Sequence, residues 1–172
     1  MAAVSRASRI LAVAAVVAST IGCDRVTKEV AVRHLAGQPR LSMAKDAIRL
    51  EYVENRGGFL SLGAEFPEAL RLAVFGFGPA ILLAVLGAWV CRRVLAGAFA
   101  LGPALLWAGG VANLGDRIAR GSVIDFLNLG VGPLRTGIFN VADVAIMAGA
   151  LLVALELARP RANGLPGGPG ER

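Results

Sequence analysis

Between Leu72 and Cys91 the chain carries no charged residue, and none occurs from Val94 to Gly115. Each run has the ~20 residues an α-helix needs to cross the hydrocarbon core of a bilayer. Two membrane helices are therefore the first expectation. Pro79 and Pro103 lie inside the runs, which a membrane helix tolerates where neighbours re-satisfy the freed backbone groups. The hydrophobic share of 56% over 172 residues exceeds the roughly 45–50% of an ordinary soluble domain. The length permits a single domain.

Two further apolar segments are less regular. Ile10 to Cys23 is about two-thirds of a span and is closed by Asp24. Continued through Val30 and Val32 it becomes long enough, and Asp24 and Lys28 then stack four residues apart on one helix face near the outer surface. Ile138 to Leu157 is long enough but carries Asp143. Helices are thus predicted over about 8–30, 69–90, 95–115 and 138–157, with Cys91-Arg92-Arg93 as a tight basic link between the second and third. Ile48, Leu50 and Tyr52 alternate with Arg49 and Glu51, the period of a half-buried strand. Asn55-Arg56-Gly57-Gly58 signals a turn, and Phe59 to Leu62 is expected to return as a second strand. A small β element over about 45–63 would then rest on the membrane surface. Asp116 to Gly137 is a second polar stretch. Residues 1–158 read as one membrane-embedded domain, and 159–172, rich in Pro, Gly and Arg, as a disordered cytoplasmic tail.

The formal charge of +6 does not point to nucleic acid. Lys and Arg sit at the ends of apolar runs or alternate with acids, whereas a nucleic-acid footprint gathers them along one face. They read as snorkelling and topology charges. Four spans put both termini on one side, and the Arg92-Arg93 link, with no acid nearby, favours a cytoplasmic link and termini. The long polar loops then face outward. Cys23 and Cys91 end different runs and would lie roughly 30 Å apart, at opposite membrane faces. His34 is the only histidine, so neither a His-based zinc cluster nor a Ser-His catalytic set is available. No metal and no cofactor is expected.

Ionisable residues in membrane segments are costly and are functional candidates by default. Asp143 follows Asn140 by three residues, so amide and carboxylate would share a helical face; the alternative role for this acid is a helix cap or a buried polar contact. Asn113, Asp116 and Arg117 share a face where the third helix exits, and an Asp beside an Arg is commonly a structural ion pair. Asp125 is flanked by Val123-Ile124 and Phe126-Leu127, an apolar setting that raises a carboxyl pKa, although a turn residue would look the same. Two carboxylates brought together share a proton and titrate as a pair. One can take a proton from water while the other donates to a peptide carbonyl, which is hydrolysis by general acid–base catalysis.

Five blocks carry a resemblance. They are Asp24-Arg25-Val26-Thr27-Lys28, Asn55-Arg56-Gly57-Gly58-Phe59-Leu60-Ser61, the stretch from Gly109 to Arg117, Val123-Ile124-Asp125-Phe126, and Phe139-Asn140-Val141-Ala142-Asp143-Val144-Ala145-Ile146. In this order the chain resembles the lipoprotein signal peptidases (signal peptidase II) from about Asp24 to Ile146. The resemblance implies an all-α membrane protein of four transmembrane helices with a small extracytoplasmic β-cradle. It implies an aspartic endopeptidase of the bacterial inner membrane, active on the periplasmic side. Its substrate would be a diacylglyceryl-modified prolipoprotein, cleaved just before the lipidated cysteine. Asp125 and Asp143 match the catalytic pair; Asn113, Arg117 and Asn140 line the site and orient substrate, with Asn55 and Gly57 beside them; Asp24, Lys28 and Asp116 support the pocket. Substrate and membrane lipid are the partners implied, and a monomer is expected.

The chain departs from the family pattern at Arg25, Ala112 and Gly115, and the loop from Asn128 to Gly137 lacks aromatic residues. None of these is a proposed catalytic group. Two other readings compete. In one the acids are relay groups of a membrane scaffold or transporter subunit, although relay carboxylates normally lie near the bilayer midplane. In the other Thr20-Ile21-Gly22-Cys23 is a lipoprotein cleavage box and the chain is itself lipidated at Cys23.

Overall fold

A computed structural model of the chain describes residues 5–58, 61–96 and 100–158. The elements run α1 (Arg6–Leu35), β1 (Leu41–Met43), β2 (Ile48–Asn55), α2 (Glu68–Leu95), α3 (Leu101–Arg120), β3 (Val123–Val131), β4 (Leu134–Arg135) and α4 (Val141–Ala158). Among the described residues α1, α2 and α4 are long and apolar enough to cross a membrane. Their outward faces are apolar, with Ile81, Leu82 and Val85 of α2 all about two-thirds exposed. In a bilayer such faces meet lipid tails rather than water.

The remaining helix, α3, is built differently. It buries Gly102, Pro103, Ala104, Ala108 and Gly109 along with Asn113 and Asp116. Small residues let α3 and α4 approach closely, as is usual between membrane helices. A Cβ built on Gly109 would lie 2.4 Å from the Ala142 carbonyl oxygen. No larger residue fits without moving α4. At its other end α3 closes on Gly121 with φ +75°, the left-handed cap that turns the chain directly into β3.

Several expected boundaries shift. The Cys91-Arg92-Arg93 link belongs to the last turns of α2, which runs on to Leu95. Arg93 donates to Glu156 at 2.7 Å and lies 5.0 Å from the Trp89 ring centroid, so Arg93 has helix-compatible partners. The charge-free stretch from Val94 is accordingly divided, its first residues ending α2 and α3 starting at Leu101. Helix α2 opens through a π-helical segment, Leu72–Phe77. The expected tail 159–172 lies outside the described residues.

The β element is larger than the stretch 45–63 suggests. It is a four-stranded antiparallel sheet in the order β1-β2-β3-β4. Phe59 and Leu60 lie outside the described residues, and Ser61 and Leu62 form turns rather than a returning strand. The partner of β2 comes instead from the second polar stretch: Asn55 pairs with Val123 and Val53 with Asp125. Between Leu50 and Val53 the register shifts by one residue, a bulge holding Glu51 and Tyr52. Leu50 and Tyr52 pack with Ile124 and Phe126 against Ala31 and Leu35 of α1, which fastens the sheet to the end of the helices.

Candidate active site

Four elements converge where the sheet meets the helices. Asp125 is on β3, 3% exposed, while Asp143 is half-buried in the first turn of α4. Both line one cavity of about 360 Å³ between α2, α3 and α4, with an apolar wall of Leu82, Leu83, Leu86 and Met147.

Asn140 joins the two acids. Its side-chain Nδ2 donates to Asp125 Oδ1 at 2.7 Å, and its backbone N–H donates to Asp143 Oδ2 at 3.1 Å. The Asp143 N–H in turn donates to Asn140 Oδ1 at 2.9 Å. This is a reciprocal capping box, Asn-x-x-Asp, and it explains why α4 starts at Val141 rather than at Ile138. The cap role considered for Asp143 is therefore real, and it coexists with a place in the cavity. Asn140 is the residue before the helix, so amide and carboxylate meet through the cap rather than along one helical face.

The remaining carboxylate oxygens are also held. Asn55 Nδ2 donates to Asp125 Oδ2 at 2.9 Å, and Asn113 Nδ2 donates to Asp143 Oδ1 at 2.9 Å. Burial pushes the Asp125 carboxyl up to about 6 and the Asp143 charge adds to this, against the amide donors of Asn55 and Asn140. A carboxyl with that value keeps a proton far more readily than a free aspartic acid.

Behind the cavity lies a buried charge cluster. Lys28, 1% exposed, forms ion pairs with Asp24 Oδ2 at 2.7 Å and Asp116 Oδ2 at 2.7 Å and donates to Asn113 Oδ1 at 2.9 Å. Asn113 Oδ1 also accepts from Asn140 Nδ2 at 3.2 Å. With two donors on its oxygen, the Asn113 amide can only present Nδ2 to Asp143. Asp24 Oδ1 accepts the Ala142 N–H at 2.8 Å and so ties α1 to the helix that carries Asp143. The expected stacking of Asp24 on Lys28 is seen; the expected pairing of Asp116 with Arg117 is replaced by Asp116 with Lys28. Arg117 lines the cavity and donates instead to the Gly57 carbonyl at 2.7 Å.

Gly57 sits in a turn closed by its own N–H on Asn55 Oδ1 at 3.0 Å and by Asn55 Nδ2 on the Gly58 carbonyl at 3.0 Å. A Cβ on Gly57 would lie 2.4 Å from the Leu62 carbonyl oxygen, so only glycine fits. Each of the ten candidate site residues, from Asp24 and Lys28 to Asn140 and Asp143, therefore touches this network. Asn128 was not singled out; it is buried on β3 and holds the 134–138 segment through Nδ2 to the Thr136 carbonyl. The β-branched and aromatic residues Val123, Ile124 and Phe126 around Asp125 are the available signal for that strand.

Residues 16–159 match the family model described as Signal peptidase (SPase) II. The chain belongs to the signal peptidase II family. It is 37% identical over 156 residues to the lipoprotein signal peptidase of Mycolicibacterium smegmatis, spanning 86% of this chain and 60% of that protein. It is 30% identical over 155 residues to the lipoprotein signal peptidase of Streptococcus pneumoniae, spanning 88% of this chain and 95% of that one. The chain thus spans less than two-thirds of the mycobacterial relative and nearly all of the streptococcal one. Its fold is shared with a bacterial membrane enzyme solved by the in meso method at 2.3 Å resolution: TM-score 0.72, 18% identity, 91% of this chain and 96% of the other. In this signal peptidase II chain the described residues of the five sequence blocks meet in one place.

Proposed function

We propose that this chain is a membrane aspartic endopeptidase that removes signal peptides from diacylglyceryl-modified prolipoproteins, cleaving just before the lipidated cysteine. Family membership supports the substrate class. The observation that carries the catalytic assignment is the double grip of Asn140 on Asp125 and Asp143 at one cavity.

In this reading the pair holds one proton. Asp125, whose carboxyl burial pushes up to about 6, is the acid, and Asp143 is the base. A water between them gives a proton to Asp143 while its oxygen attacks the scissile carbonyl carbon, and Asp125 protonates the carbonyl oxygen. Collapse of the tetrahedral intermediate returns that proton to Asp125 and breaks the C–N bond. The cysteine nitrogen leaves with the proton from Asp143, so protons balance over one turnover. Asn113, Arg117 and Asn140 orient the peptide, with Asn55 and Gly57 beside them, and Asp24, Lys28 and Asp116 keep the frame. The apolar wall of Leu82, Leu83, Leu86 and Met147 suits acyl chains, each buried CH₂ contributing ~0.8 kcal/mol.

The same reading makes residues 1–158 one peptidase domain, crossing the bacterial inner membrane four times with α3 as the third crossing. The termini would be cytoplasmic, the site would open to the periplasm at the lipid interface, and the enzyme would act as a monomer. Neither the relay reading nor the lipidated-Cys23 reading is favoured by the family assignment. Asp125→Asn and Asp143→Asn are each expected to lower prolipoprotein processing by at least ~10²-fold while membrane insertion persists. A gel-shift cleavage assay on a diacylglyceryl-modified substrate measures this. Full activity in either variant rejects the pair.

A further inference from the structure

Asp125 is reached from two sides. On the helix side is the apolar cavity already described. On the sheet side is a second cleft of about 390 Å³, and the two share Asp125 and Ile138. The cleft is more polar than the first cavity: Arg49 and Glu51 of β2, Asn128 of β3, and Arg135 and Thr136 line it beside Val53 and Ile138. A peptide whose scissile bond lies at the acids must leave them in two directions. The lipid-bearing and apolar parts belong in the apolar cavity. A hydrophilic segment belongs in the polar cleft.

Charge divides the cleft along its length. Glu51 lies in the β2 bulge, close to the Asp125 level of the sheet. Arg135 lies further out, with Nε on Asn128 Oδ1 at 2.6 Å and Nη1 on the Asp46 carbonyl at 2.7 Å. Its Nη2 is buried and has no hydrogen-bond partner among the described residues. Arg49 is paired with the Asp46 carboxylate, and Arg135 Nη1 is 3.6 Å from it. Arg49 takes the paired Asp46 contact and also feels the Glu51 charge, so Arg135 is the less compensated of the two guanidiniums. From Asp125 to Asn128 is three strand residues, about 10 Å at ~3.3 Å each. An extended substrate strand covers the same distance in about three residues.

We propose that this cleft is the subsite for the mature segment downstream of the cleaved bond, and that Arg135 selects an acidic side chain near the third mature residue. The inference rests on the proposed peptidase activity and adds a specificity to it. Close to Asp125, opposite Glu51, acidic residues gain nothing. The preference therefore depends on position as well as charge.

The test is a panel of diacylglyceryl-modified prolipoproteins with Asp, Asn or Lys at the second, third or fourth mature residue. Processing by the full-length enzyme in membranes is compared as kcat/KM. The expected ratio of Asp to Lys is about tenfold at the third residue, equivalent to ~1.4 kcal/mol, and smaller at the second. It should shrink as salt is raised. In Arg135→Gln the ratio should fall close to one whatever the absolute rate, and Arg135→Lys should restore part of it. Equal processing of all members by the wild type overturns the subsite and leaves the peptidase reading standing. A ratio that survives in Arg135→Gln overturns the role of Arg135. Failure to process any member overturns the activity and this inference with it.

Discussion

Two clusters of basic and acidic side chains flank the acids, and they obey different physics. Lys28, Asp24 and Asp116 are sealed between α1 and α3 at no more than 4% exposure, the ammonium within ion-pair distance of both carboxylates. Asp46 and Arg49 stand at the outer end of the sheet, where the Asp46 side chain is 42% exposed. The inner cluster gains its strength from exclusion of water, and the same exclusion makes it intolerant of loss. The outer cluster is screened by solvent and contributes little to stability. One end of the site is therefore rigid by construction, and the other is free to respond to a ligand.

The largest effect should come from the inner cluster. Lys28→Met leaves two buried carboxylates without their cation, and breaking a buried pair in this way costs about 3–5 kcal/mol. The expected result is a lower thermal midpoint in detergent, with loss of processing because the Asn113 amide is no longer oriented. A variant that melts like the wild type would show that the cluster is better solvated than its burial implies.

A smaller, pH-dependent effect is expected at Asp125, which lies between the two regions. Its carboxyl is pushed up to about 6 from the ordinary 3.8. A raised folded-state value means that the stabilising contribution is complete below about 4 and is lost as pH rises through about 6. The thermal midpoint of the wild type should therefore fall relative to Asp125→Asn across that window and level off above it. Parallel curves would show that Asp125 titrates as an ordinary carboxylate.

The smallest effect belongs to the outer cluster. Arg49→Ala should leave the midpoint unmoved within error, although Arg49 has a short contact with Asp46. A clear drop would mean that the two clusters differ less than their exposure indicates.

Local patterns in the chain announced much of this arrangement. The charge-free run in α2, the strand at Ile48–Asn55 and the five polar blocks are legible because each is a short-range signal. The pairing of β2 with β3 is not, since it joins Val53 to Asp125 across α2 and α3. An acid inside Val-Ile-Asp-Phe looks equally like a turn until its partner strand is known. The end of α2 was misplaced because two adjacent arginines look like a link, while Glu156 and Trp89, the groups that accommodate Arg93, are on α4 and on α2 itself. For the acids, residue type was visible but mutual placement was not. That placement depends on a helix cap at Asn140 and on the direction of one amide at Asn113.

Asn140 has a mechanical consequence. A dyad assembled from a strand and a helix would ordinarily drift apart whenever either element shifted. Here a single side chain and its own main chain clasp both partners, so a tilt of α4 carries the pair as one rigid lever. Whatever displaces that helix end therefore acts on both acids at once.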